Sequence, residues 1–388
     1  MTHVAPSDRS PSFPQASDLP LPVRVGVQAS VVADVALRTA AATLVSTTTA
    51  PLALRPRQLR RDFDRLSFYA DLGRQGDVAA VFPTPTAPAR VERVRRTRVP
   101  GLGRDAEAAT VRFESDFVPV HPELRVRYSR FERNRTAWAQ HWRHADGPRP
   151  TIVVVHGFMA SPHWVNSAFF SLPWFFGHGY DVLMVTLPFH GRRRTRPLTY
   201  SGSGLFVQGI SQLNEAIGHA IHDLRLWVDH LFASGVPAVG MTGLSLGGYL
   251  TSLMACIDDR LAFAIPNVPV TDLADLLGSW FPASALVQAG LALSGHSRAE
   301  LQAAIDSHSP LSHQPVIAHD RRFVIAGLGD RLAPPDHARR LWEHWDRPEV
   351  HWFPGNHILH VDQGAYLKRM GRFLQRIEFA APTADATV

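Results

Sequence analysis

Cysteine and lysine are almost missing from this chain. Of its 388 residues one is cysteine, Cys256, and one is lysine, Lys368. A lone cysteine forms no internal disulfide, so no disulfide framework holds the fold, and a reducing compartment is expected. Its expected role is that of a small buried hydrophobe. The other basic side chains are arginines, and the net charge is +6. Also missing are H-E-x-x-H, paired C-x-x-C, a P-loop and a G-x-G-x-x-G after a strand, which removes the motif grounds for zinc-protease and nucleotide sites. His219 and His222 stand three apart on an expected helix without a third ligand, so no metal and no cofactor is expected. There is no helix-turn-helix pattern or zinc spacing, so nucleic acid is not an expected partner. Residues 1–22 are polar and broken by proline, unlike a signal peptide. Together these point to the cytoplasm.

Hydrophobic residues make up 45% of the chain, enough for one large core. Strand-length and helix-length apolar runs alternate from about 111 to 379, the pattern of a mostly parallel sheet with helices on both faces. Eight strands are expected, near 111–118, 123–130, 151–155, 181–187, 237–242, 261–268, 321–327 and 349–353. Helices are expected near 164–178, 205–234, 247–257, 335–346 and 360–379. Helical stretches interrupt the alternation at 271–315, which reads as a cap, with Trp280 and Phe281 lining an apolar acyl pocket. Residues 111–270 and 316–380 are then the α/β core.

Residues 1–22 read as a disordered tail and 23–110 as a helical, Arg-rich extension. Within the extension, 27–49 is rich in Ala, Val and Thr. Asp34 and Arg38 make a bilayer span costly there. Val31, Val35, Arg38 and Ala42 share a helix face suited to a protein surface or a membrane interface. Arginine clusters at 55–65 and 90–98 read as a solvated surface, with peripheral contact to an anionic membrane as the second reading.

The chemistry concentrates in Gly243-Leu244-Ser245-Leu246-Gly247, between an apolar strand and an apolar helix. A G-x-S-x-G turn from strand to helix is a nucleophile elbow, in which glycines allow the close passage that pushes the serine out. Alternatively, Ser245 is only the N-cap of the helix. The context favours the nucleophile. Residues 151–155 are a buried-strand run ending in His156-Gly157-Phe158-Met159, where an oxyanion-hole amide is expected from Phe158 or, alternatively, Met159. The second donor is the amide of Leu246. His156 itself is expected to be structural. Asp330 follows the strand 321–327, at the edge where sites form in such sheets, and Asp272 is the rival acid. His357 follows the last strand in a Gly-Asn turn and suits the general base; His360 is the rival, expected in the next helix. The cluster Phe189-His190-Gly191-Arg192-Arg193-Arg194 leaves another strand on the same side, so His190 and Arg192 are expected to meet substrate.

The set His156-Gly157, Gly243-x-Ser245-x-Gly247, Asp330 and His357 resembles the α/β-hydrolase superfamily over about 120–379. The resemblance implies the α/β-hydrolase fold, with an eight-stranded, mostly parallel sheet and a helical cap after the sixth strand. A closer likeness is to the branch called abhydrolase domain-containing eighteen. It rests on Pro188-Phe189-His190-Gly191-Arg192-Arg193, Ser203-Gly204-Leu205-Phe206-Val207-Gln208-Gly209 and Thr242 to Gly248. Members of that branch also carry a long segment before the core; the plain His-Gly-Phe at 156–158 and the Arg-rich front depart from it. The expected activity is hydrolysis of a carboxylic ester by a Ser-His-Asp acyl-enzyme mechanism, on a small-molecule or lipid ester. The alternatives are an amide or peptide hydrolase or an acyltransferase with the same triad, and a non-catalytic binding protein on a hydrolase scaffold. No motif specifies an oligomeric state.

Overall fold

The computed structural model describes residues 19–96, 106–159, 166–167, 169–195, 199–360 and 362–379. Most of the expected tail, Arg98, Arg196 and the start of the helix expected at 164 lie outside these residues.

Among the described residues one sheet has nine strands: β1 Glu92–Arg96, β2 Ala106–Glu114, β3 Thr136–His144, β4 Thr151–Val155, β5 Asp181–Thr186, β6 Val239–Leu244, β7 Leu261–Asn267, β8 Phe323–Gly327 and β9 Glu349–Phe353. Their order is β1-β2-β3-β5-β4-β6-β7-β8-β9. From β5 to β9 the pairings are parallel, and β1, β2 and β3 join antiparallel. Parallel pairing needs crossovers, and helices supply them on both faces. In β4, Val153 and Val155 join one core cluster while Ile152 and Val154 join the other. A strand buried on both sides therefore reads as a continuous apolar run.

The eight strands expected become nine among the described residues, and one expected strand is corrected. The strand expected at 123–130 is a pair of short helical turns, Pro122–Leu124 and Arg125–Tyr128, opened by a proline that has no N–H for a ladder. The chain instead enters the sheet through β3, with sequence TAWAQHWRH, and through β1 in the extension. The boundary expected at 110 falls inside β2.

The main crossing helices are α4 Leu172–Gly177, α5 Ile210–Ala233, α6 Leu246–Ile257, α10 Pro335–His344 and α11 Gln363–Arg376. Between β7 and β8 stand α7 Leu273–Ser279, α8 Ala283–Ser294 and α9 Arg298–Asp306. The extension forms α1 Leu21–Ala53, α2 Pro56–Asp64 and α3 Leu66–Arg74.

These front helices are tied to the core by buried polar groups. Asp62 of α2 accepts the amides of Ile210 (2.7 Å) and Ser211 (3.2 Å) and the hydroxyl of Ser211, capping α5. The Tyr69 hydroxyl donates to Glu215 at 2.6 Å. Buried carboxylates are retained where donors satisfy them.

The faces of α1 are unusual. It is long and apolar enough to cross a bilayer on length and composition, yet its single carboxylate, Asp34, is 1% exposed while Val32 is 70% exposed. Val27, Ser30, Asp34, Ala41, Ala42 and Val45 form the buried face.

Candidate active site

The carboxyl ends of β4, β6, β8 and β9 carry the expected site residues. Ser245 follows β6 and opens α6 with φ 58° and ψ −114°. A positive φ in a residue with a Cβ is strained, and such strain gathers at functional sites. The Ser245 side chain makes no capping hydrogen bond to α6, which removes the simple N-cap reading.

The elbow is enforced by close passage. A Cβ on Gly243 would stand 2.3 Å from the Gly247 carbonyl oxygen, and one on Gly247 would stand 2.0 Å from that of Val155. A Cβ on Gly157 would stand 3.4 Å from the Ser245 Cβ, so the loop after β4 lies against Ser245. Met159 in that loop also has positive φ, 61°. Leu246 is the first residue of α6, where an amide has no intrahelical acceptor. The Phe158 side chain, like Leu246, lines the pocket at Ser245.

Asp330 and His357 meet. The His357 Nδ1 lies 2.7 Å from Asp330 Oδ2, both side chains being almost wholly buried. The other carboxylate oxygen accepts the amides of Leu332 (2.9 Å) and Ala333 (2.8 Å), which fixes its plane. Burial by itself would push the imidazole pKa down; the Asp330 charge and hydrogen bond, with Asp34 behind, turn the net shift upward.

The rivals have other duties. Asp272 caps α7 through the Asp275 amide (2.9 Å) and pairs with Arg340 (3.2 Å). His360 precedes α11 rather than lying in it, because that helix opens at Gln363. Its Nδ1 lies 3.0 Å from the Tyr366 hydroxyl, and burial pushes its pKa down to about 4. His156 accepts the Leu187 amide at 3.1 Å. Burial pushes the Cys256 thiol up to about 12.

The residues expected to meet substrate divide. Trp280 lines the pocket at Ser245, and its indole donates to the Leu332 carbonyl at 3.3 Å, next to the acid loop. His190 is fully buried, with burial pushing it down to about 4, and Arg192 lies over the Trp138 ring at 4.8 Å. Neither lines that pocket. Arg193 is buried against Asp223 at 2.7 Å.

Apart from Ser245, the pocket is apolar, walled by Leu213, Leu246, Leu277 and Trp280, with Val45 contributed by α1. A second apolar pocket between α1, α2 and α8 shares Val45, Phe206, Leu277 and Ala283 with it. The enclosed space is about 70 Å³ in the second pocket and about 60 Å³ in the pocket at Ser245. Among the described residues no cluster of His, Cys, Asp and Glu could hold a metal ion. Two features escaped the sequence reading: Asp34 beside the His357 loop, and the front helices as pocket walls. The carboxylate inside an apolar run was the one available signal for the first.

No protein-family model matches the chain. The uncharacterized protein MT2702 of Mycobacterium tuberculosis (strain CDC 1551 / Oshkosh) is 32% identical over 330 residues, 79% of this chain and 74% of that protein. The uncharacterized protein Rv2627c of strain ATCC 25618 / H37Rv is 34% identical over 260 residues, 63% of this chain and 58% of that one. Among solved structures, acetyl xylan esterase 1 from Thermoanaerobacterium sp. JW/SL YS485 aligns with TM-score 0.55 at 15% identity, over 83% of this chain and 98% of that one. An acetyl xylan esterase from Paenibacillus sp. R4 aligns with TM-score 0.50 at 15% identity, over 82% and 98%. These structures share the fold of the sheet and its crossing helices. The chain thus has the α/β-hydrolase fold and belongs to the family of the Mycobacterium tuberculosis protein MT2702.

Proposed function

We propose that the protein is a serine hydrolase of carboxylic esters with an apolar acyl group. The observation that carries this reading is the buried His357–Asp330 pair at 2.7 Å, on the sheet edge where the strained Ser245 opens into an apolar pocket.

The reaction has two steps. Ser245 Oγ attacks the ester carbonyl while His357 Nε2 takes its proton. The carbonyl electron pair moves onto oxygen, where the amides of Leu246 and Phe158 receive it, with Met159 as the alternative to Phe158. The pair returns, the C–O bond breaks, and the imidazolium gives its proton to the leaving alcohol. Water, deprotonated by His357, then attacks the acyl-enzyme, and the carboxylic acid leaves as Ser245 regains its proton. Asp330 keeps Nδ1 protonated and balances the imidazolium charge.

The two adjoining apolar pockets give the acyl group a path from Ser245 past Leu277 and Val45 toward α2. Within the superfamily we place the chain nearest the abhydrolase domain-containing eighteen branch, on the segments 188–193 and 203–209. Fluorophosphonate labelling of wild type beside Ser245→Ala tests the nucleophile, and p-nitrophenyl esters from acetate to palmitate then size the pocket. Labelling confined to the wild type is expected. An unlabelled, folded wild type would sink the reading in favour of a binding protein. Product formed with an added alcohol in preference to water would identify a transferase.

A further inference from the structure

Helix α1 reaches the base loop with a carboxylate. Asp34 Oδ2 accepts the backbone amide of His357 at 3.0 Å and that of Arg331 at 2.9 Å. One oxygen thus ties the general base to the residue that follows the acid. One turn earlier, the Ser30 carbonyl accepts the Asn356 side-chain amide at 2.7 Å. One turn later, Arg38 donates to the Arg331 carbonyl at 3.4 Å. Three successive turns of α1 therefore engage the two loops that carry the acid–base pair.

This cluster is not explained by the stability of α1 itself. Aspartate is a poor residue for a helix interior, and a buried carboxylate is costly unless its lone pairs are met. Burial pushes the Asp34 carboxyl up, and the two amides pull it back. An alanine would suit the helix better, as the alanines at 29, 33, 36 and 40 illustrate.

Among the described residues, the charged and titratable groups facing His357 are few. Asp330 meets its ring, Asp34 stands behind its backbone amide, and His360 Nε2 lies 3.3 Å from its carbonyl oxygen. With burial pushing His360 down to about 4, it is neutral near pH 7. Arg38 approaches only the Arg331 carbonyl. The environment of the base is therefore net negative, which favours the imidazolium formed during attack.

We propose that Asp34 is a positioning residue of the active site: by bridging the His357 and Arg331 amides it locks the base loop onto the acid loop, so that a docked α1 is required for turnover. The inference rests on the reading of Ser245 and His357 as nucleophile and base. Its physical basis is that small displacements of a reacting group cost large factors in rate.

The test uses the full-length protein with Asp34→Asn, Asp34→Ala and, as a control on the opposite face, Val32→Ser. Asp34→Ala is expected to lower kcat on a short ester by about 10- to 100-fold with little change in KM. Asp34→Asn, which keeps an acceptor but not the charge, is expected to recover part of that loss. In both variants the acid limb of the kcat/KM profile is expected to move to lower pH, because a negative charge has left the imidazole. Val32→Ser is expected to match wild type. A folded Asp34→Ala enzyme with kcat within about twofold of wild type and an unmoved acid limb overturns the proposal. So does a loss that only tracks the unfolded fraction in a thermal melt. If the alanine variant does not fold, the near-isosteric asparagine carries the test.

A second readout needs no turnover. The His357 imidazole is titrated by ring 13C NMR, assigned by its absence in His357→Gln, in wild type and Asp34→Asn. A shift to lower pH is expected, and identical titrations overturn the clamp. An unlabelled wild type would instead defeat the hydrolase reading and leave this titration to be judged alone.

Discussion

The elbow at 243–248 and the base loop at 355–360 stand on the same edge of one sheet but are held by different means. The elbow is shaped by close backbone passage: Gly243 against Gly247, and Gly247 against the end of β4, much earlier in the chain. The base loop is held by polar bonds from Ser30 and Asp34, on a helix at the other end of the chain. Close backbone passage shapes the turn at Ser245, whereas the turn at His357 combines local bonds to the Asn356 side chain with bonds from α1. Perturbing the front of the chain should therefore disturb the base before it disturbs the nucleophile.

The largest expected effect comes from breaking the acid–base pair itself. Asp330→Asn should retain the fold and lower kcat by about 10⁴-fold, as expected when a triad imidazole loses its orienting carboxylate. Steady-state kinetics on a short ester would check this, and a loss under tenfold would argue that another carboxylate orients His357.

Breaking the local side should cost stability. Gly247→Ala places a methyl group against the Val155 carbonyl oxygen and should destabilise the protein by about 3 kcal/mol or more. Urea unfolding measures it; a neutral result would mean that α6 can shift away from β4 without cost.

Loosening the remote side should cost less. Asp62→Ala leaves the amides of Ile210 and Ser211 without their buried acceptor and should cost about 2 kcal/mol. The same urea unfolding should show it, and an unchanged transition would mean that the extension adds nothing to core stability.

The smallest change is one of position on a pH axis. Attack requires a neutral imidazole, and His357 is shifted upward, so labelling of Ser245 should rise with pH through a midpoint above the ordinary histidine value of about 6.5. A midpoint below that value would mean that burial outweighs the two carboxylates.

The same division explains what could be read in advance. Gly243, Ser245 and Gly247 specify the elbow within five residues, and their flanking runs announce strand and helix. Asp330 and His357 were legible because each follows an apolar strand, although their 2.7 Å contact spans 27 positions. The strand expected at 123–130 failed because alternation in a short segment cannot outweigh the proline that opens it. Strand β3 was missed because small alanines share it with tryptophans, which blurs the apolar period. Asp34 could be seen as an oddity in an apolar run, but its partners lie hundreds of residues away, and no local pattern encodes them.

The Asp34–His357 bond joins positions 323 apart. During synthesis α1 emerges long before its partner, by roughly 15 to 65 s at ordinary elongation rates. Throughout that interval Asp34 has no amide from the loop after β9 to accept. A nascent chain stopped just before β9 would carry Ser245 and Asp330 but not His357. Contacts of such separation are slow to form and are made only once the intervening fold exists. The Asp34–His357 bond can thus form only after residue 357 has been made, so the docking of α1 onto the turn after β9 is among the later contacts of the fold.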